Sequence, residues 1–552
     1  MSSKKICKNC GSEFQITDED TRFYKLFSVP EPTKCPTCRL IRRMNERNTR
    51  SLYKRKCDFS GKEIISQYHG NAPFPVYHYD HWFGDSWDAM KYGQPIDFTK
   101  PFFEQFKVLR DKVPHMSAFV VGGTLQNSDY TNCTGYLKDC YLIFEADYNE
   151  NCYYDNRIYH CKSVVDCLCM YGCELCYESR DSINCYNLKY SNDCEDCADS
   201  LFLSNCKGCK NCIACINLRH KDYHIFNKPC SAEEFADFIS KNNLNSYDGV
   251  ASFYKKADDF FAHHPHKNLQ QEHNINSLGD YLYNSKNAYY CFDCKDLEDC
   301  RYCARVAMTV KSTMDMTGWG DNVELVYETA ACGNNAYNLK FCTTCTTNNS
   351  DIEYCDQCVC CKNCFGCVGL NKKSYCIFNE QYSKDDYFSN KEKLVKHMME
   401  TKEYGEFFPA DFCPFAYNES IAMEYFPLTE KEALARRFRW LNDNATYNPQ
   451  TYKIPGEISD VPDSVVDEVL TCKSCKKNYR ITSNELKFYR HLSLPIPFFC
   501  ANCRHLRRLK SKNPKNFWER TCDKCGKNIM TTFPPESKCP IYCEECYNHY
   551  VA

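Results

Sequence analysis

The sequence contains no long apolar run, little net charge and no common catalytic signature. No stretch of apolar residues is long enough to cross a bilayer, and the first residues include no apolar, signal-like segment. The formal net charge is only -3 over 552 residues, so no global positive field would attract nucleic acid. We find no P-loop, dinucleotide fingerprint, HExxH helix or nucleophile–base pair. These absences predict a protein that is not an enzyme, with no catalytic residues, no membrane contact and no evident small-molecule substrate.

Cysteine, by contrast, is unusually abundant. The chain has 45 cysteines, a density that is typical of short secreted proteins with disulfides and rare at this length. An odd number also prevents complete internal pairing. Because no secretory signal is evident, we expect reduced thiols and bound metal in a cytoplasmic protein.

The two ends of the chain carry the same cysteine module at an offset of 465 residues. Each copy has two CxxC pairs some two dozen residues apart, which is the spacing of a closed tetrahedral zinc site. The C-terminal copy continues into a third set, in which Cys539 is a spare. The predicted cofactor is therefore zinc, with the ligands Cys7, Cys10, Cys35, Cys38, Cys472, Cys475, Cys500, Cys503, Cys522, Cys525, Cys543 and Cys546.

The N-terminal counterpart of the third set has lost most of its thiols. Its four positions read Cys57, Ser60, His78 and His81, and a serine hydroxyl is a poor zinc ligand. One interpretation is a decayed site that packing holds together. The other is zinc bound by Cys57, His78 and His81, with Asp58, Asp80 or water as the fourth ligand.

A second duplication occupies the middle of the chain, at an offset of 152 residues near its end and 148 earlier, so that about four residues are inserted in the second copy. Within the first copy a cysteine recurs every twelve residues from Cys161 to Cys209. Short alternating apolar–polar runs, separated by Asn, Asp and Gly, predict strands of about four to six residues. We expect a β-solenoid or stacked hairpins, with the cysteines in rows through the stack.

The middle cysteines allow two interpretations, metal ligands or small apolar core residues. We favour a mixture, with iron–sulfur binding or redox buffering as a further alternative. The candidate ligands, all in CxxC pairs, are Cys206, Cys209, Cys212, Cys215, Cys358, Cys361, Cys364 and Cys367.

Several helices are expected around these repeats. Capping-box patterns at Ser231 and Ser383 predict a helix that caps each repeat unit. Further helices are predicted at 391–404 and 429–442, and a linker at 454–467. The aromatic-rich stretch from Trp82 to Phe106 is expected to pack the N-terminal module against the end of the solenoid.

A basic helix is predicted after each terminal zinc site. Its arginines recur at helical spacings of three and four residues and so share one face. One interpretation is contact with nucleic-acid phosphates; the other is a solvated face that pairs with acidic neighbours. The candidate phosphate contacts are Arg39, Arg42, Arg43, Arg504, Arg507 and Arg508.

The terminal modules resemble the probable zinc-ribbon domain family. Each has a CxxC pair, a Phe-Tyr, a Pro-x-Pro and a second CxxC, and the set at Cys522 to Cys546 is similar to a second short zinc ribbon. The whole layout resembles uncharacterised cysteine-rich proteins in which a zinc ribbon precedes a Cys/Tyr/Asn-rich repeat. The resemblance implies zinc and brings no activity with it.

Together these features predict a mainly β, multidomain protein with zinc ribbons at both ends, two tandem solenoid-like units and a few α-helices. We expect a zinc-binding scaffold or interaction protein, with nucleic-acid binding through the arginine helices as the alternative. The predicted segments are a zinc ribbon at 1–50, a degenerate ribbon and connector at 51–126, repeat units at 127–247 and 277–405 with a linker at 248–276, a helical linker at 406–468, and zinc ribbons at 469–515 and 516–552.

Overall fold

The computed structural model describes residues 3–330, 333, 339–442 and 447–552, and the middle of the chain forms two parallel β-ladders. In the first ladder, residues 120–229, each strand pairs in parallel with the strand twelve residues later, as Asn156 with Leu168 and Leu168 with Arg180. Its strands are Leu125–Gln126, Thr131–Lys138, Ile143–Glu150, Asn156–Tyr159, Leu168–Tyr171, Arg180–Ile183, Tyr186–Lys189, Ala198–Leu201, Lys210–Ile213 and Asp222–Ile225, followed by the antiparallel strand Lys228–Pro229.

Every third residue of the first ladder is buried, as the run Cys185, Leu188, Ser191, Cys194 and Cys197 illustrates. The residue before each buried position has a positive φ, for example +56° at Asp193 and +52° at Asp196. Asn and Asp tolerate this left-handed conformation better than most residues, which explains their frequency here. A period of three thus sets the buried positions along the coil, while the four-residue strands keep the expected alternation of buried and less buried residues, as Asn156–Tyr159 and Leu168–Tyr171 show.

The second ladder, residues 269–381, has the same design with some longer turns. Four successive parallel pairs, from Arg301 through Met314, Tyr327 and Lys340 to Glu353, are separated by thirteen residues instead of twelve. The four extra residues are thus distributed one to a turn. Its strands are Gln271–Glu272, Leu278–Tyr283, Tyr289–Lys295, Leu297–Glu298, Val310–Lys311, Val323–Glu324, Ser350–Glu353, Lys362–Phe365, Ser374–Ile377 and Glu380–Gln381.

Short hairpins and two-stranded parallel pairs make up the terminal modules. The antiparallel hairpins are Ser3–Ile6 with Glu13–Ile16, Tyr53–Lys56 with Glu63–Ser66, Leu470–Thr471 with Asn478–Tyr479, and Trp518–Thr521 with Asn528–Thr531. The parallel pairs are Val76–Tyr77 with His115–Met116, and His266–Lys267 with Ile541–Tyr542.

The helices of the described residues lie outside the two ladders. The 3-10 helices are Ala89–Tyr92, Ala410–Phe412, Tyr417–Glu419, Ile458–Asp460 and Asp463–Asp467. The α-helices are α1 (Asp18–Leu26), α2 (Pro36–Asn45), α3 (Tyr79–Trp82), α4 (Phe102–Lys112), α5 (Ala232–Lys241), α6 (Tyr247–Ala262), α7 (Lys384–Glu400), α8 (Ile421–Tyr425), α9 (Glu430–Ala435), α10 (Ser483–His491), α11 (Ala501–Lys510) and α12 (Glu544–Val551).

The two capping helices form where the sequence predicts them. Ser231 caps α5 in a capping box and Ser383 caps α7. Each helix packs on the last strands of its ladder, where Tyr223 meets Phe235 and Tyr375 meets Tyr387.

The other helix predictions need correction. The helix expected at 391–404 is the second half of α7, and the one expected at 429–442 is only α9. The expected linker at 248–276 contains the sixteen-residue helix α6. The sequence contains the apolar pattern that indicates this helix, because Val250, Phe253 and Ala257 recur at helical spacing and are buried. The expected linker at 454–467 contains two 3-10 helices.

The chain folds into two compact units, each built from two separate segments. Unit 1 comprises Met1–Phe119 and Leu269–Asn442, so the N-terminal ribbon shares a core with the second ladder. Unit 2 comprises Val120–Asn268 and Asp443–Ala552, so the C-terminal ribbons share a unit with the first ladder. Each end of the chain therefore packs with the ladder that is more distant in sequence.

Candidate metal centres

In the first ribbon, a hairpin turn and a helix N-terminus bring four thiols together. Cys7 and Cys10 follow the first strand, and Gly11 closes the turn with a φ of +73°. Cys35 is the N-cap of α2, and Cys38 lies in the first turn of that helix. A CxxC pair in the turn of the hairpin and a second CxxC pair at the N-terminus of the helix thus supply two thiols each.

The two C-terminal centres repeat this construction. Cys500 and Cys543 are the N-caps of α11 and α12, as Cys35 is of α2. Gly526 follows Cys525, has a φ of +73° and matches Gly11. At the corresponding position after Cys475, Lys476 adopts a φ of +64°. A lysine in the left-handed region is strained, so the thiol positions override local backbone preference there.

The four sulfurs of each centre are close enough to share one ion. In each of the three groups, all four Sγ atoms lie within 4.8 Å of one another. The Sγ–Sγ distances are 3.8 Å for Cys10–Cys35, 3.7 Å for Cys475–Cys500 and 3.9 Å for Cys525–Cys543. A tetrahedral site with metal–sulfur bonds of about 2.3 Å requires sulfurs about 3.8 Å apart. The donor set therefore fits a metal ion.

Backbone N–H groups stabilise the thiolate form of the first cysteine in these centres. The N–H of Cys35 donates to Cys7 Sγ at 3.3 Å, and that of Cys543 donates to Cys522 Sγ at 3.2 Å. Burial raises the pKa of Cys522, but these backbone hydrogen bonds outweigh it and lower the pKa to about 6. The same balance lowers the pKa of Cys472 to about 6. A thiolate is the form that binds metal.

The degenerate ribbon keeps the backbone of its intact counterpart. The N–H of His78 donates to Cys57 Sγ at 3.3 Å, as Cys543 does to Cys522. His78 and His81, however, do not join Cys57 in a group of three close ligand atoms among the described residues. Instead, His81 packs against Phe59 with 4.9 Å between the ring centroids. The arrangement supports a module that packing holds together.

The ladder cysteines behave as small hydrogen-bond donors. The Sγ of Cys185 lies 3.3 Å from the carbonyl oxygen of Ile183, and the Oγ of Ser182 lies 3.0 Å from that of Arg180. Thiols and hydroxyls thus occupy equivalent interior positions. Among the described residues, the groups of close ligand atoms do not include the other candidates, Cys206, Cys209, Cys212, Cys215, Cys358, Cys361, Cys364 and Cys367.

The arginines of α2 are buried in ion pairs within unit 1. Arg39 and Arg43 each contact Asp315 at 2.9 Å, through Nε and Nη1 respectively. Arg42 Nη2 lies 2.6 Å from a carboxylate oxygen of Glu328. This placement differs from the open basic face that phosphate contact needs.

The arginines of α11 repeat this arrangement in unit 2. Arg504 and Arg508 contact Asp166 at 2.9 and 3.2 Å, and Arg507 contacts Glu178 at 2.5 Å. The Arg507 side chain remains half exposed, whereas Arg504 and Arg508 are buried. Both arginine helices therefore attach a four-cysteine module to a ladder.

Sequence reasoning missed the acidic partners of these arginines. Asp166 and Asp315 occupy corresponding ladder positions, but they differ by 149 residues and not by the 148 that the early part of the repeat predicts. One turn of thirteen residues causes the mismatch. A search that allowed turns of either length would have aligned the two aspartates, and Glu178 with Glu328.

Comparison with family models gave no match, and neither did comparison with curated proteins. The zinc-ribbon resemblance therefore depends on the spacing and geometry of the cysteines. Within the part of the chain that the structure describes, every helix is too short or too polar to span a membrane.

Proposed function

We propose that this protein is a non-enzymatic, zinc-binding scaffold in which metal modules at both ends of the chain organise two β-solenoids. The observation that carries the proposal is the pairing of each terminal four-cysteine centre with a buried arginine helix. Cys35 and Cys38 begin α2, and the same helix contacts Asp315 through Arg39 and Arg43. An ion that orients this helix would also orient the arginines, so metal binding and ladder packing would be coupled.

Zinc is the metal that the donor sets favour. Four thiolates with no vacant position form the typical structural zinc site, and they leave no open position for a reacting water. The Sγ–Sγ distances of 3.7–3.9 Å agree with tetrahedral zinc–thiolate geometry. A stabilising role accounts for the three centres without any catalytic step.

The solenoid proposal is supported by the regular register of the parallel pairs, which are twelve residues apart through most of the first ladder and eleven to thirteen apart in the second. Twelve residues per turn, with a buried residue at every third position, make a narrow coil in which neighbouring turns bury each other's apolar groups. Such a coil presents long exposed faces, which is what a scaffold for protein partners requires. We retain reduced thiols and a cytoplasmic setting as part of the proposal.

The positions of the arginine helices do not support the alternative, nucleic-acid binding. Arg39, Arg43 and Arg504 are at most 2% exposed, so phosphate could reach them only if the helices left the ladders. Electrophoretic mobility shift at low salt, with single-stranded and double-stranded RNA and DNA, tests it directly. Binding that disappears in Arg39→Ala and Arg504→Ala variants that remain folded would favour the alternative.

Elemental mass spectrometry on protein purified without added metal tests the main proposal. We expect three zinc ions per chain, one for each four-cysteine group. A Cys35→Ser variant should contain two, whereas Cys185→Ser, which alters a ladder cysteine, should still contain three. Iron in place of zinc, or zinc retained by a chain that lacks all three centres, would refute it.

A further inference from the structure

The lining of a cleft in unit 1 contains three cations, Lys107, Arg110 and Arg439, and two carboxylates, Asp111 and Asp411. The cleft is open to solvent, has a volume of about 310 Å³ and is lined by α4, by residues 71–74, by residues 411–414 and by Arg439. Its volume is at the lower end of the range for ligand sites, so it suits a small molecule.

One lining cation, Lys107, and both lining carboxylates, Asp111 and Asp411, are held in ion pairs. Lys107 pairs with Asp111 along α4. Asp411 accepts a hydrogen bond from Arg437 at 2.7 Å through its Oδ2 atom. The opposite charges within each of these two pairs cancel. Arg110 and Arg439 are the other charged residues of the lining.

Arg439 donates only to neutral backbone groups. Its Nη1 lies 3.1 Å from the carbonyl oxygen of Cys413 and 3.3 Å from that of Pro414. These contacts hold the guanidinium in the cleft lining, and among the described residues no carboxylate is paired with it.

Arg110 is the more unusual of the two. It is 2% exposed, and neither Nε nor Nη1 has a hydrogen-bond partner among the described residues. Glu46 and Asp356 are the acidic groups that act on this region from neighbouring segments. Burial raises the pKa of Glu46 to about 7, so the neutral form of this carboxyl is favoured far more than that of an exposed glutamate. A buried guanidinium with unpaired N–H groups is costly unless an acceptor completes it.

Asp411 adds an acceptor to the same lining. Its Oδ1 atom is buried and has no hydrogen-bond partner in the part of the chain that the structure describes. A carboxylate repels a fully deprotonated anion, but it accepts a hydrogen bond from an anion that carries an O–H group. Hydrogen phosphate has both the oxyanion that two arginines recognise and this O–H group, whereas sulfate at neutral pH lacks the O–H.

We propose that this cleft binds hydrogen phosphate, with Arg110 and Arg439 donating to its anionic oxygens and Asp411 accepting from its protonated oxygen. Arginine suits this role because its planar fork donates two parallel hydrogen bonds to a phosphate. The ligand is either the free ion or the singly protonated end of a phosphomonoester, since both present the same group.

Isothermal titration calorimetry of the full, metal-loaded chain with inorganic phosphate, in a chloride buffer at pH 7, tests the proposal. We expect saturable binding that is at least about tenfold tighter than binding of sulfate, which corresponds to about 1.4 kcal/mol. Arg110→Lys and Arg439→Gln should each weaken phosphate binding about tenfold or more. Lys286→Gln, which removes a cation of unit 1 outside the cleft lining, should leave it unchanged.

If Arg110→Lys does not fold, Arg439→Gln still tests the proposal, because Arg439 is exposed and its replacement should leave the fold intact. Asp411→Asn should reduce the preference for phosphate over sulfate, because an amide oxygen is a weaker acceptor and its N–H₂ group can donate to sulfate. Methyl phosphate that binds as tightly as phosphate indicates a phosphomonoester ligand, and weaker binding indicates the free ion. No saturable binding up to about 10 mM phosphate, or unchanged affinity in both arginine variants, would overturn the proposal.

Discussion

At the scale of single residues, the ladder interior explains why cysteine is so frequent. An interior position recurs every third residue; aliphatic side chains such as Leu188 fill some of these positions, and others hold a small side chain that donates to a nearby carbonyl group. Cysteine and serine both do so, as Cys197 and Ser179 show by donating to the carbonyl oxygens of Glu195 at 3.3 Å and Tyr177 at 3.0 Å. Cysteine is the less polar of the two and so costs less to bury.

A pair of substitutions at Cys185 distinguishes this structural role from metal binding. Cys185→Ser keeps the donor and should change the free energy of unfolding by about 1 kcal/mol or less. Cys185→Leu overfills the narrow interior and should cost about 1–3 kcal/mol. Urea denaturation at a fixed zinc concentration measures both. A serine variant that is less stable than the leucine variant would show that the thiol has a chemical role.

The buried carboxyl of Glu46 should make the stability of unit 1 depend on pH. Burial raises its pKa from 4.5 to about 7, so the folded chain holds a proton that the unfolded chain releases between these values. Stability contributed by this group is therefore complete below pH 4.5 and decreases as pH rises to about 7, by about 3 kcal/mol at most.

Glu46→Gln removes the titrating group and should flatten this part of the curve of unfolding free energy against pH, measured by urea denaturation. Glu392→Gln, on the exposed side of α7, is the matched control and should leave the curve as in the natural protein. An unchanged slope in Glu46→Gln would mean that the carboxyl is ionised throughout.

At the scale of elements, α2 and α11 join each metal centre to a ladder. Each helix begins at a cysteine of the centre and ends in arginines that contact ladder carboxylates. Such buried ion pairs add little net stability over apolar packing, but breaking one leaves an isolated charge and is expensive. They therefore specify which surface of the ladder the helix contacts.

Replacement of Arg43 by methionine should weaken this attachment strongly. Arg43 is fully buried and donates to Asp315 at 2.9 Å and to Thr317 at 3.0 Å. Its loss should reduce the free energy of unfolding of unit 1 by about 3–5 kcal/mol, measured by urea denaturation. Lys4→Met, which breaks an exposed pair with Glu13, should leave the midpoint unchanged. Equal effects of the two substitutions would contradict the buried network.

At the scale of the whole molecule, the chain contains two related units whose segments are interleaved. The metal module at each end belongs with the ladder that lies farther away in sequence. Neither unit is continuous, so each needs both its segments for a complete core.

The degenerate ribbon offers a gain-of-function test of this architecture. The triple variant Ser60→Cys, His78→Cys and His81→Cys recreates the ligand set of the last centre on a backbone that already matches it. Asp58 and Asp523 make equivalent hydrogen bonds, at 2.7 Å to the N–H of Val76 and 2.6 Å to that of Ile541. Zinc content should rise from three to four ions per chain, and Cys57→Ser added to the triple variant should return it to three. A count of three in the triple variant would show that the module cannot close around an ion.

The cysteine spacing alone predicted the three four-cysteine groups that could hold a metal ion, because CxxC turns and helix N-caps impose their geometry locally. The twelve-residue period likewise predicted stacked short strands, since a repeat that cannot bury its own apolar face must stack on its neighbours. The three-residue period is visible in the spacing of Cys206, Cys209, Cys212 and Cys215, but a metal-binding CxxC pair has the same spacing, so the sequence alone leaves both interpretations open.

Only the tertiary structure decided which module packs with which ladder, because that choice depends on charges that lie hundreds of residues apart. Arg39 and Asp315 are 276 residues apart, and Arg504 and Asp166 are 338 apart. The same holds for the cleft that combines Arg110 with Asp411 and Arg439. Burial turns such distant groups into partners, and burial is a property of the folded chain that residue spacing does not encode.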